Sequence, residues 1–150
     1  MTALRSWVAM VALVLAAAAP ARAEEPPAAG RVKIASGSAF IVRQNVLIPA
    51  QAGQVVFEAD GLKTGADGRL GITHKDDTRV SIGPDSEARI DRFLYVPSEG
   101  RLSFVFKLAR GVAAYVSGQI AKLSPDAIRL ETPAAIVGVR GTSLALRAEP

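Results

Sequence analysis

Short runs in which apolar and polar residues alternate recur along most of the chain. The clearest run covers residues 102–108, where Leu102, Phe104, Phe106 and Leu108 would share one face. Such alternation is typical of a β-strand with one face buried and the other in water. Comparable runs occur within residues 32–42, 80–82, 88–91, 128–131 and 144–147, and glycine, proline and aspartate lie between them. The pattern therefore predicts an all-β domain of roughly ten short strands, arranged as a sandwich, a barrel or a solenoid.

Residues 110–123 form the one stretch in which a helix is also compatible with the pattern. Val112, Tyr115 and Val116 would share a helical face, but Gly111 and Gly118 disfavour a helix. We therefore interpret this stretch as mainly strand.

The first 23 residues have the three parts of a secretory signal. Arg5 provides a positive start, residues 8–19 are an apolar run of 12 residues, and Ala21-Arg22-Ala23 offers small residues for cleavage. Because a membrane span needs about 20 apolar residues, the run is too short to serve as one. We expect cleavage after Ala23 and export to the periplasm. We further expect a disordered lead-in over residues 24–29 and one domain over residues 30–150, without a membrane span.

The distribution of charge argues against some classes of binding partner, and the absence of cysteine argues against disulfides and a lipid anchor. The chain carries 18 Lys and Arg against 14 Asp and Glu, and removal of Arg5 and Arg22 with the signal would leave 16 against 14. The basic residues are interleaved with acidic ones, which argues against a nucleic-acid surface and against a polybasic membrane patch. The chain has no cysteine, so the fold uses no disulfide and the signal offers no thiol for a lipid anchor.

Catalytic and metal-binding candidates are few. His74 is the only histidine, and we expect it at the surface beside a turn, since a histidine acts as a base only with partners in place. Asp60, Asp67, Asp76 and Asp77 could offer oxygens to calcium, but the ligand spacing of an EF-hand is absent. Asp-Gly pairs more often form hairpin turns. We predict no enzyme, no metal and no cofactor, while calcium at the turns of Asp60 and Asp67 stays open.

A constellation of turn residues is more specific than any catalytic motif in the chain. It begins with Ala52-Gly53-Gln54-Val55 and closes with Val137-Gly138-Val139-Arg140-Gly141-Thr142. The constellation resembles the FecR domain, the periplasmic domain of iron-citrate signalling regulators, over about residues 30–147. The positions that carry the resemblance and serve as candidate site residues are Asp60, Thr64, Gly65, Asp67, Gly68, Gly83, Pro84, Thr132, Pro133, Gly138, Arg140, Gly141 and Thr142.

The resemblance implies an all-β fold with solenoid-like stacking of short strands, or else a compact sandwich. Two positions depart from the family pattern. Ala59 precedes Asp60 where the family usually has glycine, and Asp77 lies in a turn that is usually Asp-Gly-Ser or Asp-Gly-Thr in the family. Aspartate occupies a turn with modest strain, so we expect the hairpin to survive.

FecR-type regulators also carry a cytoplasmic anti-sigma segment and a membrane helix before this domain, and a second periplasmic subdomain after it. We expect none of these three features here, and therefore no direct action on a sigma factor.

Arg140 has two possible roles within the closing motif. Its guanidinium could bridge loop carbonyls inside the domain, which we favour because buried backbone groups need partners. Alternatively, Arg140 and Thr142 could contact an anionic ligand or a partner. The leading functional hypothesis is a non-enzymatic periplasmic binding or scaffolding module for a membrane sensor or outer-membrane protein. The alternative is a module that senses a small molecule or glycan. The sequence leaves the oligomeric state open.

Overall fold

The structure is a computed structural model that describes residues 19–21 and 26–149. The predicted signal and its cleavage site lie almost wholly outside these residues, as do Glu24 and Glu25. The described chain forms twelve strands and one short helix: β1 (Ala28–Ser36), β2 (Ala39–Arg43), β3 (Val46–Pro49), β4 (Val55–Phe57), β5 (Gly61–Thr64), β6 (Arg69–His74), β7 (Arg79–Ile82), β8 (Glu87–Val96), β9 (Arg101–Val116), α1 (Gln119–Leu123), β10 (Ile128–Glu131), β11 (Ile136–Val137) and β12 (Ser143–Ala148).

The strands form one continuous sheet, and the long strand β9 belongs to both of its halves. The C-terminal part of β9 pairs with β7 and β12 in the order β4-β1-β6-β7-β9-β12, which we call sheet A. The N-terminal part pairs with β8 and β10 in the order β3-β2-β5-β8-β9-β10-β11, which we call sheet B. Among the described strands, only the pairing of β9 with β10 is parallel. Both sheets contribute side chains to one apolar core.

Gly111 allows both parts of β9 to face that core. The buried positions are even-numbered before it, as at Phe104 and Phe106, and odd-numbered after it, as at Tyr115. The register with β8 shifts between Leu108 and Arg110, just before Gly111, whose φ is 92°. A Cβ at this position would overlap Ser86, so glycine is required on both counts. The alternation predicted over residues 102–108 is confirmed.

His74 is buried, so its predicted surface position is wrong. It ends β6 but continues the inward phase of Ile72. Its ring stacks on Phe93 with centroids 5.1 Å apart and meets Phe104 edge-on at 4.9 Å. The Nδ1 atom lies 3.2 Å from the carbonyl oxygen of Ala29, while Nε2 has no hydrogen-bond partner among the described residues. Burial lowers the pKa of His74 to about 4, so the ring is neutral near pH 7.

Two predicted boundaries differ from the structure. β1 begins at Ala28, inside the expected disordered lead-in, because the carbonyl of Ala29 accepts the N–H of Lys75 at 3.0 Å. A backbone hydrogen bond of this kind cannot be predicted from an alanine-rich sequence, because it involves no side chain. The strand interpretation of residues 110–123 is confirmed as far as Val116, but Gln119–Leu123 is helical.

The predicted all-β class is confirmed, while solenoid-like or sandwich stacking stays a prediction. Within the described residues, no helix has the length and apolar character needed to span a bilayer.

Candidate functional site

Six candidate residues meet at one corner, where β5 leads into β6 and β7 leads into β8. We call this set the turn corner: Thr64, Gly65, Asp67, Gly68, Gly83 and Pro84. The buried hydroxyl of Thr64 donates to the carbonyl oxygen of Gly83 at 2.6 Å and accepts the N–H of Ser86 at 3.0 Å. Thr64 therefore fastens the end of β5 to the β7–β8 turn.

Ser38 organises the other half of the turn corner. Its carbonyl oxygen accepts the N–H of Gly65 at 2.8 Å, and a Cβ on Gly68 would overlap that same carbonyl. The amide of Ser38 donates to Asp67 Oδ1 at 3.2 Å. Bonds from the hydroxyl and the amide of Ser38 lower the pKa of Asp67. The side chains and backbone of the turn corner are thus engaged within the domain.

Ser86 belongs to this network although the sequence analysis did not select it. It is fully buried, its Oγ donates to the Pro84 carbonyl at 3.0 Å, and the same Oγ accepts the Val112 N–H at 3.0 Å. Its signals in the sequence are its place within the constellation that resembles the FecR domain and the inward phase that it shares with Ala88 and Ile90. A serine on the buried face of a strand needs such partners.

Asp60 lies apart from the turn corner, at the opposite end of β5. Its Oδ2 is 2.7 Å from Arg43 Nη2 and accepts the Phe57 N–H at 2.8 Å, and its Oδ1 accepts Arg43 Nε at 3.0 Å. The Arg43 guanidinium also lies 4.6 Å from the centre of the Phe57 ring. The carboxylate of Asp60 therefore serves an internal ion pair. Among the described residues, no three His, Cys, Asp or Glu side chains are placed to share a metal ion.

Asp76 has a similar structural role on the side of sheet A. Its carboxylate accepts the hydroxyl of Thr78 at 2.6 Å, the amide of Thr78 at 3.1 Å and the amide of Ile120 at 3.1 Å. Its carbonyl accepts the amide of Gln119 at 2.7 Å. Asp76 thus binds the start of α1 to the β6–β7 turn, and a Cβ on Gly118 would overlap the backbone of that turn.

The two departures from the family pattern both have a left-handed backbone. The φ of Ala59 is 72° and that of Asp77 is 67°. Glycine adopts this region freely, whereas a side chain is strained there. The family's usual glycine at these positions therefore has a physical reason that the structure supplies.

The six remaining candidates lie in a second group, which we call the closing loop (residues 132–142). Thr132 and Ala135 exchange backbone bonds around Pro133, and the carbonyl oxygens of Gly141 and Thr142 accept the hydroxyl and the amide of Ser117, each at 2.8 Å. These bonds anchor the two ends of the loop. Gly141 has a φ of 125°, which requires glycine.

Arg140 is exposed near the C-terminal end of the closing loop, after β11. Its guanidinium makes no hydrogen bond or ion pair with the described residues. Added Cβ atoms on Gly138 or Gly141 would meet nothing within 4 Å, in contrast to the packed glycines of the turn corner. Gly138, Arg140 and Gly141 border a cavity of about 870 Å³ whose other wall includes Asp126 and Ala121. The favoured bridge from Arg140 to loop carbonyls is therefore not present among the described residues, and this part of the motif is directed to solvent.

These features define a small all-β module in which most motif residues maintain its own turns and one short segment is left exposed. Comparison with protein-family models matches residues 60–150 to the family described as FecR protein. Because the match covers more than half of the 150 residues, the chain belongs to the FecR family. Comparisons with curated proteins and with solved structures gave no significant match. FecR domains lie on the periplasmic side of the envelope, act in signalling with membrane partners, and are not an enzyme family.

The folded unit extends beyond the matched residues. β1 and β2 precede residue 60, yet β1 pairs with β6 and β2 pairs with β5 inside the matched region. Val32, Ile41 and Val56 also contribute to the core. A fragment beginning at residue 60 would leave β5 and β6 without these neighbours.

Proposed function

We propose that the protein is an exported, non-enzymatic binding module that docks an envelope protein through its closing loop. In this proposal the signal is removed after Ala23 and the domain stays in the periplasm. The partner is a membrane sensor or an outer-membrane protein. The domain itself does not act on a sigma factor.

The observation that carries the proposal is that some motif residues are bonded inside the domain while others are exposed. Thr64, Asp67 and Asp60 form hydrogen bonds or ion pairs within the domain. The guanidinium of Arg140, in contrast, has no partner among the described residues and lies beside glycines with open space around them. A guanidinium offers five donors in a rigid fork that fits a carboxylate on a partner. Glycines without packing neighbours allow a partner's backbone to approach closely. The burial of His74, the chain's only histidine, also favours a binding role over acid–base catalysis.

The proposal is tested by capture from a membrane extract with the purified domain and matched variants. Arg140→Gln removes the charge, and Gly138→Ala adds a methyl group without contact inside the domain. Arg92→Gln is the control, because Arg92 is also exposed but lies on β8. We expect wild type and Arg92→Gln to retain the same partner, and both loop variants to lose it with unchanged thermal stability. Equal capture by Arg140→Gln would refute docking through the closing loop.

A second candidate function is sensing of a small anionic molecule or glycan in the same place. The cavity of about 870 Å³ beside Arg140 is the observation that favours it. A ligand that binds only the native state raises the melting temperature. At a concentration 100 times its Kd, it adds about 2.7 kcal/mol to the free energy of unfolding. A thermal-shift screen with dicarboxylates, sugar acids and muropeptides should then give a stabilising hit that Arg140→Gln abolishes. A flat response to all of them would leave protein docking as the better account.

A further inference from the structure

The outward face of sheet A has an uneven distribution of charge. Its strands carry five basic residues and no acidic residue over their described lengths: Arg31, Lys33, Arg69, Arg79 and Arg147. The outward face of sheet B is different, since its basic residues alternate with acidic ones. There Lys107 lies 3.3 Å from Asp91 and 3.5 Å from Glu131, and the pKa of Lys107 is raised, chiefly by its hydrogen bond with Asp91.

Within the described part of the chain, the basic residues of sheet A form no ion pair with a carboxylate. Arg69, Arg79 and Arg147 form no ion pair among the described residues, and Arg31 donates only to the carbonyl oxygen of Gly53 at 3.0 Å. On sheet B, by comparison, Arg110 lies near Glu87 and Arg129 near Glu131. Among the described residues, ion pairs therefore neutralise much of the basic charge on sheet B, whereas the basic residues of sheet A keep their positive charge without such pairs.

Strand register places a row of small residues across this face. Gly71 lies opposite Ser81, Ser81 opposite Ala114, and Ala114 opposite Ala145, with Ile34 beside Gly71 at one end. A Cβ on Gly71 would lie 3.6 Å from Ile34 Cβ and 3.9 Å from Ser81 Cβ, which confirms that the row shares one face. The row is the floor of a shallow groove, and we call it the small-residue floor.

Arginines border the small-residue floor. The row next to the floor begins with Arg69 on β6 and ends with Arg147 on β12. Gly83 and Val112 lie between these two arginines in that row. Three strand spacings separate Arg69 from Arg147, which is about 14 Å between their backbones. Arg69, Arg147 and the small-residue floor together line a groove of about 640 Å³. Arg79 lies on the other side of the floor.

We propose that this groove binds an extended acidic segment of a partner polypeptide. Carboxylates would pair with the Arg69 and Arg147 guanidinium groups, while the short side chains of the floor let a peptide backbone approach. An extended peptide rises about 3.3 Å per residue, so acidic residues four positions apart match the spacing of the two arginines. This surface is distinct from the closing loop and goes beyond the function proposed above.

The composition of the face favours a peptide over other anionic partners. The described outward positions of β6, β7, β12 and the adjoining part of β9, which line the groove, hold no aromatic side chain on which a sugar or a base could stack. The face also lacks the bulky apolar and aromatic residues by which peripheral proteins enter a bilayer, since Ile34 and Val116 are its only exposed large apolar residues among those described.

The test measures fluorescence anisotropy of a labelled 12-residue peptide of Glu, Ser and Gly with Glu at every fourth position. The full domain should bind it, and binding should weaken as salt concentration rises. The double variant Arg69→Gln/Arg147→Gln should raise Kd about tenfold or more, and Ala114→Leu should block binding while leaving every charge in place. The control Arg89→Gln/Arg129→Gln makes the same change of charge on sheet B and should leave Kd within a factor of two.

Several outcomes would overturn the proposal. These are no binding of the peptide at millimolar concentration, equal binding of a peptide with Gln in place of Glu, and equal losses in the two double variants. Tighter binding of polygalacturonate, single-stranded DNA or anionic phosphatidylglycerol vesicles than of the peptide would assign the face to that other class. Circular dichroism and melting temperature establish that each variant is folded. Arg140→Gln should leave peptide binding unchanged, so failure here is distinguishable from failure of the closing-loop proposal.

Discussion

Replacement of Ala59 by glycine should stabilise this domain, which is the reverse of the usual effect of glycine in a folded chain. Ala59 has a φ of 72°, and its amide donates to the carbonyl oxygen of Ile90 at 2.8 Å. The residue is exposed, so its methyl group contributes little burial. The backbone is thus held in a conformation that an alanine side chain disfavours.

The expected magnitude follows from two opposing effects. A left-handed non-glycine residue costs about 1–2 kcal/mol. Glycine in turn makes the unfolded chain more flexible, which costs about 0.4–1 kcal/mol. The net gain in the free energy of unfolding should be about 0.5–1 kcal/mol for Ala59→Gly. For a domain of this size that gain raises the melting temperature by about 2–4 °C.

Urea unfolding followed by circular dichroism, with differential scanning calorimetry, measures this change. Asp77→Gly is a companion variant, since its φ is 67°, but aspartate tolerates the left-handed region better and the gain should be smaller. Ala114→Gly is the control, because Ala114 is exposed in an ordinary strand of sheet A and should lose about 0.5–1 kcal/mol. The reasoning fails if Ala59→Gly is no more stable than wild type while Ala114→Gly shows its expected loss.

Three further variants test the internal network. Asp60→Asn should cost about 2–3 kcal/mol of unfolding free energy because it removes the carboxylate charge that pairs with Arg43. A double variant with Arg43→Gln should cost less than the sum of the two single changes, as measured by urea unfolding. Asp76→Asn should cost about 2–3 kcal/mol because an amide cannot accept all three bonds, and hydrogen exchange at the Ile120 amide should accelerate; unchanged exchange there would contradict the role given to Asp76. The pKa of His74 is about 4 in the folded protein, below its unfolded value near 6.5, so the unfolded chain binds a proton more readily. The contribution of His74 to stability is therefore complete above pH 6.5, and the free energy of unfolding falls by roughly 3 kcal/mol as the pH drops towards 4. His74→Gln should flatten this part of the stability profile measured by urea unfolding, and an unchanged slope between pH 6.5 and 4 would contradict it.

Local patterning predicted a large part of the fold. Alternation identified the inward face of β9 at Phe104 and Phe106 and the all-β class, because burial of one strand face requires a period of two. The motif residues were also recognisable from sequence, and their family assignment is confirmed. The pattern could not predict whether a given motif residue is bonded inside the domain or exposed to solvent. Thr64 and Arg140 belong to the same motif, yet one is buried in a bonded corner and the other is exposed.

Residue type and period by themselves indicated the all-β class, the strands with clear alternation such as the first half of β9, and the family that the chain joins. Tertiary structure decided the rest, since it depends on which distant segments meet. The sequence predicted His74 at the surface, but its inward position on β6 and its contact with Phe93 show that it lies in the core. Basic and acidic residues are mixed along the chain, but the pairing of β6, β7 and β12 with their neighbours brings Arg69 and Arg147 to one face, where neither has an ion-pair partner among the described residues. Sequence order mixes charges that strand pairing separates, because neighbours in a sheet are set by register and topology rather than by position along the chain.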